Sequence, residues 1–205
     1  MSEQVRREIP LLDILAENLK LLIIAAPLVL AVMTGLVISQ QWEIALQYLN
    51  ASTFNQPDPV FDKDIGFYIF TLPFWLMVKS LVWETMIVVS IGVGLIYFFK
   101  RFVYISPTGV VLLPEARRTL SIIAGCYFLL FASEFYLQRY ELLTKGNELI
   151  SGIGFADDYG SIPILYILIF VSLVGAVFSF FGVVRPGMKK IFISAIVLAL
   201  SLIHI

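Results

Sequence analysis

Four stretches of this sequence are apolar over lengths that suit lipid better than water, and nothing else in the chain narrows its possible folds as much. Crossing the hydrocarbon core takes roughly 20 apolar residues as a helix, because an open backbone would leave amides and carbonyls without partners there. Residues 21–39, 74–99, 120–137 and 162–184 meet that demand, and Pro27 is expected to bend the first modestly. A fifth run, 191–205, falls short of it and reads as a truncated span. The expected fold is an all-α membrane protein, a bundle of four full transmembrane helices plus a truncated fifth. Residues 1–205 then form a single transmembrane domain, with a short interfacial helix and outer segments over 40–73 and 138–161.

Composition agrees with that expectation. Hydrophobic residues make up 60% and charged residues 14%, against about half and a quarter in soluble domains. Phe, Tyr and Trp are plentiful enough to furnish the aromatic belts that sit at headgroup level. Lys and Arg occur as short groups flanking the apolar runs, not as one basic patch, which excludes a nucleic-acid partner. Cys126 is the sole cysteine, so a disulfide framework is excluded. No small-residue cleavage pattern ends the first run, which reads as a retained helix.

Orientation follows from basic residues near helix ends. If the four runs alternate, Arg6, Arg7, Lys20, Lys100, Arg101, Arg117, Arg118, Arg185, Lys189 and Lys190 fall on one side. Lys63, Arg139 and Lys145 fall on the other. The N-terminus is therefore expected in the cytoplasm of a cell carrying this chain in its plasma membrane. The linker 103–118, interrupted by Pro107, Gly109 and Pro114, is expected to form a cytoplasmic turn or hairpin on the membrane surface.

Between the first two runs, Trp42, Ala45, Leu46 and Leu49 recur at helical spacing opposite Glu43 and Gln47, the pattern of a short interfacial helix. Asn50 and Ser52 are expected as turn and cap residues, and Pro57 and Pro59 hold Asp58 extended. Asp64 is placed to cap a helix, Gly66 to allow a close approach, and Pro73 to open the next helix.

The string from Asn50 to Phe74 contains Asp58-Pro59-Val60-Phe61 and then Asp64-Ile65-Gly66-Phe67-Tyr68-Ile69-Phe70-Thr71-Leu72-Pro73-Phe74. It resembles uncharacterised protein family 0182 of the UPF series, bacterial multi-pass membrane proteins with no settled activity. The block Arg139-Tyr140-Glu141-Leu142-Leu143 resembles a second motif of that family. In the following stretch only Asp157 keeps the family's residue, because Phe155 and Ala156 replace the expected Tyr and Thr. The resemblance implies architecture rather than chemistry: an internal piece of a longer protein whose partners are the bilayer and that protein's other helices and extracytoplasmic domain. It leaves room for a homo-oligomer and implies no cofactor.

Charges inside spans are costly and therefore functional candidates. Lys79 lies near the outer end of the second run, where its stem reaches toward the interface. Glu84 lies deeper, and Glu134 lies near the outer end of the third run, where the two glutamates are candidates for a shared proton or cation site. The competing reading of these groups is structural polar contact. Asp58, Asp62 and Asp64 offer oxygens to a divalent cation but lack EF-hand spacing, so turn, cap and solvated roles are preferred. Arg139 and Tyr140 read as interfacial anchors, with a loop carboxylate such as Asp157 or a phosphate on Arg139. Alternatively, Arg139 and the Asp58–Phe61 motif form a dock for the outer domain. Gly175 and Ser179, with Ser172 and Ala176 beside them, form a small-residue face suited to close helix contact. No catalytic triad, phosphate loop or paired-histidine metal motif is present. The expected role is an anchor and scaffold, with a transporter or channel subunit as the alternative.

Overall fold

The computed structural model describes residues 19–100, 102–106, 109–144 and 160–182. Helix α1 spans Leu19–Ser39 with Pro27 inside it, and α2 spans Trp42–Leu49. A π-helical turn, Phe67–Thr71, leads into α3, Leu72–Phe99. Strands β1, Val103–Ser106, and β2, Gly109–Leu112, pair antiparallel with Val103 opposite Leu112. Helices α4, Pro114–Thr144, and α5, Ile162–Gly182, complete the described chain.

Among the described residues, three helical stretches are long and apolar enough to cross a membrane: Phe67–Phe99, Pro114–Thr144 and Ile162–Phe181. The first run makes a fourth only if Pro27–Ser39 and Trp42–Leu49, bent by 56°, count as one span. Three of the four expected spans are thus present among the described residues, and the fourth depends on whether the bent pair crosses as one unit. The bend falls at Gln40 and Gln41, whose N–H groups close back on Val37 and Ile38 in a turn. The expected fifth span, 191–205, lies outside the described residues.

Element boundaries also differ from the apolar runs, because capping and packing, not hydropathy, decide where a helix ends. Helical backbone begins at Ile65, where the Asp64 cap places a start, and continues without a break into the apolar run expected to open a new helix at Pro73 and Phe74. It passes through Pro73, which lacks an N–H and crowds the preceding turn. The π turn widens the helix there, with the Leu72 N–H donating to the Phe67 carbonyl. The linker 103–118 forms the expected hairpin only to Leu112, and Arg117 and Arg118 already belong to α4. In α2 the half-buried face is Ile44, Ala45 and Tyr48, while Trp42, Leu46 and Leu49 stay exposed. Tyr48 stacks on Phe74 at 4.1 Å between ring centroids.

Helices α3 and α4 run antiparallel, joined by the hairpin. Contacts step along them in opposite directions: Tyr97 donates to Thr119 at 2.6 Å, Ser90 and Tyr127 share a 3.0 Å bond, and Trp83 meets Phe131 edge to face. Helix α5 then packs antiparallel on α4 through glycine slots. A Cβ on Gly125 would lie 2.7 Å from the Phe180 ring, and one on Gly175 2.7 Å from the Phe128 ring. Ser172, Ala176 and Ser179 are buried beside Gly175, as the small-residue face implies.

Gly175→Val is therefore expected to drive Phe128 out of its slot and destabilise the α4–α5 pair by about 1–3 kcal/mol. Gly92→Val, at a glycine with open space around it, serves as the control and is expected to leave stability nearly unchanged. Thermal unfolding of the two variants in detergent measures the difference.

Candidate functional site

The described residues singled out by motif converge at one end of the helices, where the 50–66 loop meets the π turn and α4. This loop has little regular structure, so its backbone groups need other partners. Two aspartates supply them. Asp58 Oδ1 accepts from the N–H groups of Val60 and Phe61, both at 2.8 Å, and Oδ2 accepts from the Lys63 N–H at 2.9 Å and the Tyr68 hydroxyl at 2.8 Å. Asp64 Oδ1 accepts from the N–H groups of Phe54 at 3.0 Å and Gly66 at 2.8 Å, and Oδ2 from Gln56 at 3.1 Å. The Gly66 bond caps the helix that starts at Ile65. A Cβ on Gly66 would collide with the Ser52 carbonyl, so the close approach expected there has a definite partner. Asn55 and Asp62 take the left-handed conformation, φ 54° in each case, which short polar side chains tolerate.

These bonds set the electrostatics of the loop. Partial burial pushes the Asp58 carboxyl up, but bonds from Phe61, Lys63, Tyr68 and Val60 outweigh it and leave the pKa below the ordinary 3.8. Asp64 is held below 3.8 chiefly by the Phe54 N–H, with Gly66 and Gln56 assisting. Acceptor capacity committed to backbone N–H groups is not available to a cation. Among the described residues no group of three or more His, Cys, Asp or Glu side chains is placed to hold a metal.

The turn at Pro59 carries Phe61 onto α4, where its ring lies 5.0 Å from Tyr140. Phe67 reaches the same ring at 5.0 Å, Tyr136 at 5.7 Å and Tyr68 at 6.3 Å. Tyr140, only 3% exposed, is the centre of this aromatic cluster. Arg139 lies across it, with Cζ 4.0 Å from the Tyr136 centroid and 4.5 Å from that of Tyr140. Its Nη1 donates to the Tyr166 hydroxyl at 2.8 Å and its Nη2 to the Tyr140 hydroxyl at 2.7 Å. Tyrosines thus hold Arg139, and Asp157, the carboxylate considered for it, lies outside the described residues. Tyr166 was not singled out in the sequence; nothing local marks it, since its role depends on α5 docking antiparallel to α4.

The intramembrane candidates are arranged differently from the expected pair of glutamates. Lys79 Nζ and Glu134 Oε1 form an ion pair at 2.9 Å between α3 and α4, with side chains 16% and 34% exposed. Glu84 is exposed on α3 and has no hydrogen bond or ion pair among the described residues. Helical phase accounts for the difference: the face of α3 that meets α4 carries Lys79, Trp83 and Ser90, and Glu84 points away from it.

Long apolar helices with an ordered polar-aromatic loop at one end define a helical protein of membrane-spanning character. Comparison by sequence makes this specific. The sequence model of Uncharacterised protein family (UPF0182) matches residues 2–205, and the chain belongs to that family. It is 35% identical over 91% of its length to a UPF0182 protein of Geobacter sulfurreducens, covering 21% of that protein. It is 30% identical over 86% of its length to one of Corynebacterium jeikeium, covering 18% of that protein. The chain thus spans about a fifth of the length of these curated relatives. No solved structure matches it.

Because both aspartates have lowered folded pKa values, their contribution to loop stability is fully present above pH 3.8 and is lost as pH falls through the folded values. Proteolytic protection of 50–66 is expected to hold from neutral pH to about pH 5 and to fall below pH 3.8. In Asp58→Asn/Asp64→Asn it is expected to be weaker at neutral pH and nearly independent of acidification. For the ion pair, Lys79→Met alone leaves a half-buried carboxylate facing α3 and is expected to cost about 1–3 kcal/mol, with Lys79→Met/Glu134→Leu costing less. Denaturation in detergent separates the two.

Proposed function

We propose that this chain is a membrane-embedded portion of a larger multi-pass protein of the bacterial cell membrane, serving as anchor and scaffold for extracytoplasmic segments. The observation that carries the reading is the locking of the 50–66 loop onto the Arg139–Tyr140 end of α4. A loop held by seven side-chain hydrogen bonds to two aspartates is built to present a fixed surface. The relatives' greater length supplies the material such a surface would hold.

Basic residues support the orientation. Lys100, Arg117 and Arg118 gather at the hairpin end, which is assigned to the cytoplasm, whereas the loop end carries Lys63 and Arg139. On this assignment, with the first apolar run crossing as the fourth span, the N-terminus is cytoplasmic. The scaffold reading also accounts for Glu84, since a carboxylate exposed within a span needs a partner and the longer relatives have further chain to provide one.

Transport through an intramembrane carboxylate is the second reading, favoured by Glu84 alone because Lys79 neutralises Glu134. The two are separated in the full-length protein. A photo-crosslinker at Val60 is expected to trap the extracytoplasmic region, and trapping is expected to drop sharply in Phe61→Ala, which frees the loop from Tyr140. Absence of any protein adduct at Val60 rejects the scaffold, and loss of a proton-linked flux in Glu84→Gln establishes transport in its place.

A further inference from the structure

A cleft of about 400 Å³ opens at the loop end, between the 50–66 loop, α3 and α4, with walls that include Lys63, Phe67, Trp75, Tyr136 and Leu137. Its polar groups are unequal in an informative way. Lys63 is exposed and has no carboxylate partner among the described residues, since the neighbouring Asp58 spends its oxygens on four donors.

On the α4 side a chain of hydrogen bonds has a fixed direction. A guanidinium can only donate, so Arg139 donates to the Tyr140 oxygen. The Tyr140 hydroxyl in turn faces the Tyr136 oxygen at 3.5 Å, as donor. The Tyr136 O–H is then left as the terminal donor at the cleft wall, without an acceptor among the described residues. A cation and a free donor thus converge on one opening, and both ask for an anionic acceptor.

The rest of the cleft asks for hydrocarbon. Trp75 and Leu137 form apolar wall, the Ser133 hydroxyl beside them donates to the Leu130 carbonyl, and Trp75 and Tyr136 are 46% and 47% exposed, so the cleft opens onto the apolar flank of the helices. An inorganic anion would leave that apolar part unfilled, and a purely apolar ligand would bury the Tyr136 hydroxyl unsatisfied.

We propose that this cleft binds an anionic phospholipid, with the headgroup phosphate at Lys63 and the Tyr136 hydroxyl and the first acyl methylenes between Trp75 and Leu137. Lys63 and the Arg139-polarised hydroxyls disfavour the cationic end of a zwitterionic headgroup. The inference rests on the membrane reading above, and its test keeps the two apart.

Full-length protein in detergent, offered equal dioleoyl phosphatidylglycerol and dioleoyl phosphatidylcholine, is examined by native mass spectrometry. Preferential retention of phosphatidylglycerol is expected, undisturbed by a large excess of inorganic phosphate. Lys63→Gln, which keeps the backbone N–H that Asp58 requires, is expected to reduce the preference about fivefold, the effect of one lysine at a membrane surface. Tyr136→Phe, which keeps the ring, is expected to reduce it as well. Equal retention of the two lipids, displacement by inorganic phosphate, or variants that match the native protein overturns the lipid site while leaving the membrane reading standing. A protein that stays monodisperse without detergent overturns both.

Discussion

The arrangement depends on α4 having to satisfy two neighbours along its length at once. One face offers Thr119, Tyr127, Phe131 and Glu134 to α3, where contact is made by hydroxyls, rings and one ion pair. The other offers Gly125 and Phe128 to α5, where contact is made by rings seated over missing Cβ atoms. In lipid, apolar surface between helices gives no net driving force, so shape fit and polar bonds must hold the bundle together. Here the two are divided between faces. Because α3 and α5 both run antiparallel to α4, their fit to it fixes how the three come together at the loop end.

That end is where a chain with little regular structure becomes ordered without a core. Asp58 and Asp64 take the place of a sheet ladder, each accepting bonds from backbone groups that would otherwise need water. The Asp58–Tyr68 bond then ties this local order to the π turn that leads into α3, and the Phe61–Tyr140 contact ties it to α4. The loop therefore inherits its position from helix packing, which is why motif residues far apart in sequence, from Asp58 to Tyr140, meet around one ring.

What could be read in the sequence divides along the same line. Local signals were legible: the helical runs, the cap at Asp64, the close approach at Gly66 and the small-residue face around Gly175 all follow from residue type and spacing. That the helix capped by Asp64 runs on through Pro73 into the apolar run was not, because a proline at that point reads as the opening of a new helix. Contacts across helices were also hidden. Gly175 is visibly suited to close contact, yet its partner Phe128 is set by the register of α4 on α5. Glu134 and Glu84 looked like neighbours by depth, but the rotation of α3 about its axis brings Lys79 to Glu134 instead. The cluster motif was legible as a family pattern, whereas Tyr166 entered only through the fold.

The charges of the loop end can then be sorted by what each has already satisfied. Lys79 and Glu134 neutralise one another, so the pair holds α3 to α4 and leaves no field for a ligand to use. Asp58 and Asp64 direct their charge inward onto N–H groups, which lowers their pKa values and keeps them from pairing with nearby cations. Arg139 is held through its two Nη groups by hydroxyl oxygens and by ring faces, while its buried Nε–H has no partner among the described residues, and none of these contacts cancels its charge. With Asp58 and Asp64 committed to the loop's own donors, that charge acts through Tyr140 and Tyr136 toward the cleft, and Lys63 adds to it from the loop. An anion seated there would complete an electrostatic balance that the described residues leave open, at the point where the helices meet the ordered loop.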